Sequence, residues 1–214
     1  MYKNVIKRTI DIALSAFGLI ILLPVFIITA LLIYIDDPGP VLFKQQRMGK
    51  DKKPFWMYKF RSMKMNTPQI PGYLFDDADS YITRIGHIIR TTSIDELPQI
   101  YNILLGNMSI IGYRPSLYKN EEVLVDERDK YNVHCIKPGL TGWAQINGRD
   151  ELPVSVKAKL DGEYKDFLNR GGFAAFTMDL KCFIGTVLKV LKHEGIVEGR
   201  NNSPKVEKKE VIHR

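Results

Sequence analysis

Cysteine is scarce in this chain of 214 residues: Cys135 and Cys182 stand 47 positions apart with no CxxC spacing. That excludes a disulfide framework and a cysteine zinc site, and it fits a reducing compartment. Histidine is nearly as rare, and His87, His134 and His193 form no HxxxH or HExxH pattern, so they read as structural. There is no GxGxxG and no GxxxxGKS/T, which removes the Rossmann and Walker A nucleotide sites. No internal repeat is visible. Acidic excess is also missing: the net charge is +7, so partners should be anionic, whether nucleic acid, lipid head groups or a phosphorylated substrate. The length suits one domain, or one domain with an appendage.

What the chain does have is a long apolar run. Residues 12–35, IALSAFGLIILLPVFIITALLIYI, are 24 residues without a charge. As a helix the run would be about 36 Å long, enough for a hydrocarbon core of roughly 30 Å. It ends in Ile-Asp-Asp rather than a small-residue cleavage site, so it is expected to be retained. Pro24 near its middle removes a backbone donor and predicts a kink or break. Lys3, Lys7 and Arg8 precede the run, and Lys44, Arg47, Lys50, Lys52 and Lys53 follow it. Positive flanks on both sides favour a re-entrant helix-break-helix with both ends cytoplasmic, a spanning helix being the alternative.

After Pro38-Gly39-Pro40, VLFKQQRMG and FWMYKFRSM read as a β-hairpin joined by KDKKP. Residues 66–80 read as a loop, in which Asp76, Asp77 and Asp79 are a solvated turn before they are a cation site. Helices are predicted near 81–90, 94–105, 116–131, 154–168 and 177–194. The fold class is α+β, mainly helical. It divides into a membrane-anchoring segment over 1–37, a small domain over 38–199 and a disordered, charge-dense tail over 200–214.

The stretch TTSIDELPQIYN, residues 91–102, sets Asp95 beside Glu96. Its plainest reading is a capping box, Ser93 on the backbone of Glu96 with the glutamate reaching back. Lys59, Arg61, Arg84, Arg90 and Arg114 crowd the same region in sequence. A carboxylate held among arginines should stay ionised, which suits a nucleophile or a metal ligand, and the arginines suit phosphate oxygens. Two acids, several cations and a membrane segment suggest phosphoryl chemistry at a bilayer surface. A solvated or lipid-contacting basic face remains the alternative.

The run DADSYITRIGHIIRTTSIDELPQIYNILLGNMSIIGYRP, with YKFRSM before it and KPGLTGWAQINGRDEL after it, closely resembles the monotopic phosphoglycosyl transferases, bacterial sugar transferases in their compact form. The resemblance runs from about residue 3 to 195. It implies transfer of a sugar 1-phosphate from a UDP-sugar to undecaprenyl phosphate with release of UMP, at the cytoplasmic face of the bacterial inner membrane. It implies Asp95 as nucleophile and Glu96 as the second acid, the two holding Mg²⁺. It implies Lys59, Arg61, Arg90 and Arg114 as phosphate-binding groups, and Gly142, Gly148 and Arg149 as pocket-shaping residues. The break at Pro24 matches the family's re-entrant helix. The chain departs from the family at Tyr113, where proline is common, at Asn107, where aspartate is frequent, and in LDGEYKDFLNRGGFAAFTMDLK.

The expected donor is an N-acetylated amino sugar, with UDP-galactose or UDP-glucose as the alternative. Membrane lipids are expected partners and nucleic acid is not, while a second copy of the chain is left open. A non-catalytic, membrane-anchored basic binding protein is the rival from a different class.

Overall fold

The computed structural model describes residues 1–67, 79–119, 121–148 and 151–192. The expected tail from residue 200, Arg149, and Asp76 and Asp77 with most of the 66–80 loop lie outside the described residues. Asp79 begins a short 3-10 turn, Asp79–Tyr81.

A single helix α1, Lys7–Asp36, follows a π-helical turn over Tyr2–Ile6. Pro24 sits inside α1 and helical structure continues across it, so the expected break into two helices is not what this chain adopts. The ring lies on the exposed side, away from the rest of the protein. α1 is long and apolar enough to cross a membrane.

Its two faces are inverted relative to a soluble helix. Lys7, Asp11, Ser15, Thr29 and Ile33 are buried, and Gly18 lies against Ile100. These positions fall at helical spacing on one face. The other face exposes Phe17, Ile20, Leu23, Ile27, Ile28, Leu31 and Ile35, with Ile20 at 73% and Ile35 at 75%. A helix in water hides its apolar face, so this arrangement points to an apolar environment outside.

The inner face is fastened along its length. Lys7 bonds Asp179 at 2.9 Å, Arg8 donates to the carbonyls of Ile103 and Leu104 at 2.6 and 2.8 Å, and Asp11 accepts from the Ile110 N–H at 3.0 Å. At the far end, Phe26 packs on Phe60 with ring centroids 5.4 Å apart, and Asp36 accepts from the Ile85 N–H at 2.9 Å. Ile33, Phe60 and Ile89 form the buried cluster beneath that end.

The predicted hairpin is present: β1, Leu42–Met48, pairs antiparallel with β2, Pro54–Phe60, in the register Leu42 opposite Phe60 to Met48 opposite Pro54. The Lys50–Lys52 turn joins them, with Asp51 and Lys52 at positive φ. α2 is Arg84–Thr91, capped by the Thr83 hydroxyl on the Gly86 N–H. α3 is Gln99–Leu105. The expected helix over 94–105 is therefore split, a 3-10 turn at Ile94–Glu96 and then α3, with Pro98 between them unable to continue a ladder.

Two short strands escaped the sequence reading. β3, Ser109–Ile111, and β4, Gly139–Thr141, pair in parallel through only three residues each, too short for a period-2 signal. The helix predicted over 116–131 shrinks to α4, Glu122–Asp129, because Pro115 and its neighbours run extended. A one-turn α5, Trp143–Ile146, follows β4, and then α6, Val154–Arg170, and α7, Gly172–Leu191. The larger core gathers Ile111, Tyr113, Val133, Ile136, Tyr164, Leu168, Met178 and Cys182. Asp179 of α7 is buried there and accepts from Tyr2, Lys7 and Tyr164 at 2.7, 2.9 and 2.7 Å, which ties α1 to α6 and α7.

Candidate active site

Asp95 and Glu96 occupy the 3-10 turn between α2 and α3. The turn is entered through Ser93 in the left-handed conformation, φ 58°, with no capping bond from its side chain. The capping box is thus not formed: only the Ser93 carbonyl is used, accepting from the Glu96 N–H at 3.2 Å. A left-handed serine is strained relative to the common cap geometry, and it reverses the chain so that both acids face the hairpin.

From β2, Lys59 reaches Glu96 at 3.0 Å and Asp95 at 3.9 Å. The loop after β3 supplies Arg114, whose two terminal nitrogens lie 2.8 and 3.5 Å from the two Glu96 oxygens. Glu96 is held from two sides, whereas Asp95 has only the longer contact with Lys59 as its ion pair among the described residues. Arg90, in the last turn of α2, is close enough for its charge to act on Asp95. Four of the expected residues therefore converge with Asp95: Lys59, Arg90, Glu96 and Arg114.

The electrostatics differ in one respect from the expectation. Burial pushes the Asp95 carboxyl up from its ordinary value; Lys59, and then Arg90 and Arg114, pull it down, while Glu96 adds to the rise. The basic residues do not outweigh the loss of water. Burial likewise pushes Lys59 down, with Glu96 opposing it. A buried carboxyl and a buried ammonium each short of solvent form a site that gains by receiving a charged ligand.

The remaining expected residues sit elsewhere. Arg61 is 6% exposed and turns from the acids toward the end of α1, where it donates to the Asp37 carbonyl and lies 3.5 Å from the Asp37 carboxylate. It clamps the end of α1 to the domain. Gly142 is a packing glycine: a Cβ there would stand 1.8 Å from the Gly112 carbonyl oxygen. Gly148, at φ +139°, would drive a Cβ to 2.8 Å from Leu152. Pro24 lies on α1, outside the site.

Three contributors were not foreseen. Asn102, fully buried in α3, accepts from the Tyr58 N–H at 3.0 Å and donates to the Trp56 carbonyl at 2.6 Å, which fixes β2 and so aims Lys59. Arg47 of β1 lies close to Arg114 and Glu96. Gln145 of α5 lines a cleft with Arg47 and Arg114. Arg47 could have been found from strand alternation; nothing in the sequence marks Gln145. Tyr113 also acquires a role, since it is fully buried, donates to the Gly49 carbonyl at 3.0 Å and lies under the Arg128 guanidinium at 4.9 Å.

Among the described residues no three His, Cys, Asp or Glu side chains converge to hold a metal ion by themselves. Two adjoining carboxylates are nonetheless the oxygen donor set that magnesium takes when phosphate oxygens complete it, so Asp95 and Glu96 fit the expected ion.

The family described as bacterial sugar transferase matches residues 2–193. An exopolysaccharide production protein of Rhizobium leguminosarum bv. phaseoli is 40% identical over 200 residues, covering 87% of this chain and 96% of that protein. A UDP-N-acetylgalactosamine-undecaprenyl-phosphate N-acetylgalactosaminephosphotransferase of Aeromonas hydrophila is 42% identical over 146 residues, 66% of this chain and 34% of that protein. The UDP-glucose:undecaprenyl-phosphate glucose-1-phosphate transferase of Escherichia coli K12 is 42% identical over 147 residues, 68% of this chain and 32% of that protein. The aligned region is thus nearly all of the first relative and about a third of the other two.

Proposed function

The chain belongs to the bacterial sugar transferase family, and from that membership we propose that it moves a sugar 1-phosphate from a UDP-sugar to undecaprenyl phosphate in two steps. In the first, an Asp95 carboxylate oxygen attacks the β-phosphorus, the phosphorus–oxygen bond to the α-phosphate breaks, and UMP leaves with that bridging oxygen. The sugar phosphate remains as an acyl phosphate on Asp95. In the second, a phosphate oxygen of undecaprenyl phosphate attacks the same phosphorus, a diphosphate linkage forms, and the Asp95 carboxylate is released.

The observation that carries this reading is the asymmetry of the acid pair. Glu96 is pinned by Lys59 and Arg114, while among the described residues Asp95 has only the longer 3.9 Å ion pair with Lys59 and so is the acid available as nucleophile. Lys59, Arg90 and Arg114 would gather the diphosphate oxygens and stabilise charge as it builds on the leaving group. Magnesium, when bound at the two acids, would supply further charge neutralisation there. The covalent intermediate lets a soluble donor and a lipid acceptor use one carboxylate in turn.

The acceptor side draws on α1. Polar domain groups hold both ends of this helix, so a perpendicular crossing would drag the domain into lipid. The chain is read as monotopic, with α1 lying along the cytoplasmic face of the bacterial inner membrane and its exposed apolar face in lipid. An N-acetylated amino sugar is placed first as donor, with UDP-glucose and UDP-galactose as alternatives.

The test is incubation of the detergent-purified protein with Mg²⁺ and a panel of UDP-sugars, reading UMP release with and without undecaprenyl phosphate. Asp95→Asn should lower release by roughly a thousandfold or more. Undiminished release by that variant would sink Asp95 as the nucleophile, and no release from any donor would leave the non-catalytic basic binding protein as the better account.

A further inference from the structure

The cleft beside the acids is built from β1, the loop after β3, α4, α5 and α6, and it contains the cations Arg47, Arg114, Arg128 and Lys157, the Glu121 carboxylate, Ser116 and Gln145. Arg128 is a fixed wall: its guanidinium meets Asp161 at 2.9 and 2.7 Å and donates to the Ser116 hydroxyl at 2.7 Å, all buried. Arg47 is held on one edge by the Pro115 carbonyl at 3.3 Å and Gln45 at 2.8 Å, but its buried Nε has no partner. Burial and then the nearby Arg114 charge push the Arg47 guanidinium down to about 10, with the Glu121 and Glu96 carboxylates opposing them.

Gln145 is the unexplained group. It is 8% exposed, and both the oxygen and the nitrogen of its amide are buried without a hydrogen-bond partner among the described residues. A buried amide left unpaired is costly, so such a group is expected to be kept for a ligand. The backbone around it is built to hold it there. Any side chain at Gly142 would lie 3.1 Å from the Gln145 Oε1 as well as striking the Gly112 carbonyl.

Resting on the transfer reaction above, we propose that this cleft seats the nucleoside monophosphate half of the donor, and that the Gln145 amide pairs with the edge of its pyrimidine base. Position and charge both favour this half. Arg114 contacts Glu96 and lines the cleft, so the cleft continues the site on the Glu96 side. In-line displacement puts the leaving group on the side opposite the nucleophile. UMP is the anionic product and requires cations, whereas the sugar is not and does not. A carboxamide offers one donor and one acceptor side by side, which matches a uracil carbonyl and its neighbouring N3–H. The lipid phosphate is placed elsewhere, because α1, the lipid-facing element, packs chiefly on α3 and α2.

The experiment is calorimetric titration of the full chain in detergent with UMP and, separately, with ribose 5-phosphate, for wild type and Gln145→Met. Wild type should bind UMP about tenfold more tightly than ribose 5-phosphate. Gln145→Met should lose that preference while keeping its affinity for ribose 5-phosphate, and should raise the donor KM without changing the KM for undecaprenyl phosphate. Unchanged UMP affinity in a variant that melts at the wild-type temperature overturns the proposal. If the variant does not fold, wild-type Lys157 is labelled with an amine reagent instead. Protection by UMP and not by ribose 5-phosphate supports the site, and no protection overturns it. Binding needs no turnover, so UMP binding through Gln145 in a protein that transfers no sugar phosphate would sink the catalytic reading alone.

Discussion

At the scale of single residues, Lys59 decides how Asp95 behaves. It is the largest charge effect opposing the upward push of burial on that carboxyl. Removing a cation beside a carboxylate destabilises the ionised form, so Lys59→Met should raise the Asp95 pKa further. The acid limb of kcat/KM against pH should then move to higher pH, and the rate at neutral pH should fall. A limb that stays in place or moves to lower pH would show that Lys59 does not act on Asp95. Tyr113 illustrates the opposite situation, a residue with no rationale from sequence. Its ring lies edge-on to His134 with centroids 5.4 Å apart and beneath Arg128, so it carries the wall of the cleft and the hairpin turn on one side chain. His134 beside it is pushed down to about 4 by burial and by the Arg128 charge, and is therefore neutral near pH 7, in keeping with a structural role.

At the scale of elements, the backbone crossing between Gly112, Gly139 and Gly142 places Arg114 and Gln145 on adjoining segments. A Cβ at Gly139 would fall 2.1 Å from the Gly112 nitrogen, so the two loops touch main chain to main chain. Gly142→Ala should cost stability at or above the upper end of the roughly 1–3 kcal/mol typical of overpacking, because a carbonyl has no rotamer with which to retreat. Denaturant unfolding checks this, and a variant as stable as wild type would mean that the loops part easily. The same crossing explains what the sequence reading missed. GLTGWAQINGR was legible as a functional stretch, but not as a three-residue parallel strand followed by one helical turn, since neither is long enough to leave a period. The 3-10 turn of the acids was hidden for a different reason. Ser93 followed by Glu96 is a valid helix-start pattern, and Pro98 together with tertiary contacts to β2 overrode it.

At the scale of the whole molecule, α1 and the domain form one packed unit whose outward face on α1 is apolar. Cysteines introduced singly at Lys3 and in the Lys50–Lys52 turn should both be labelled by an impermeant reagent from the cytoplasmic side of inverted vesicles. Labelling of only one would refute the monotopic reading. The hairpin, the long apolar helix and the mainly helical α+β class were all readable from residue pattern, and the acid pair was legible as a candidate, because each rests on local sequence: alternation, composition, or a contiguous motif. The tertiary structure alone decided that α1 continues through Pro24, and that its buried stripe is the polar one. It decided that Arg61 meets the end of α1 rather than the acids, and that among the described residues Glu96 is held closely from two sides while Asp95 has only a longer contact. It also brought Arg47 and Gln145 into one cleft. Those outcomes depend on which side chains meet across 18 or more positions of chain, and on how much water burial removes from each. Neither quantity is written in the spacing of residues along a strand or helix.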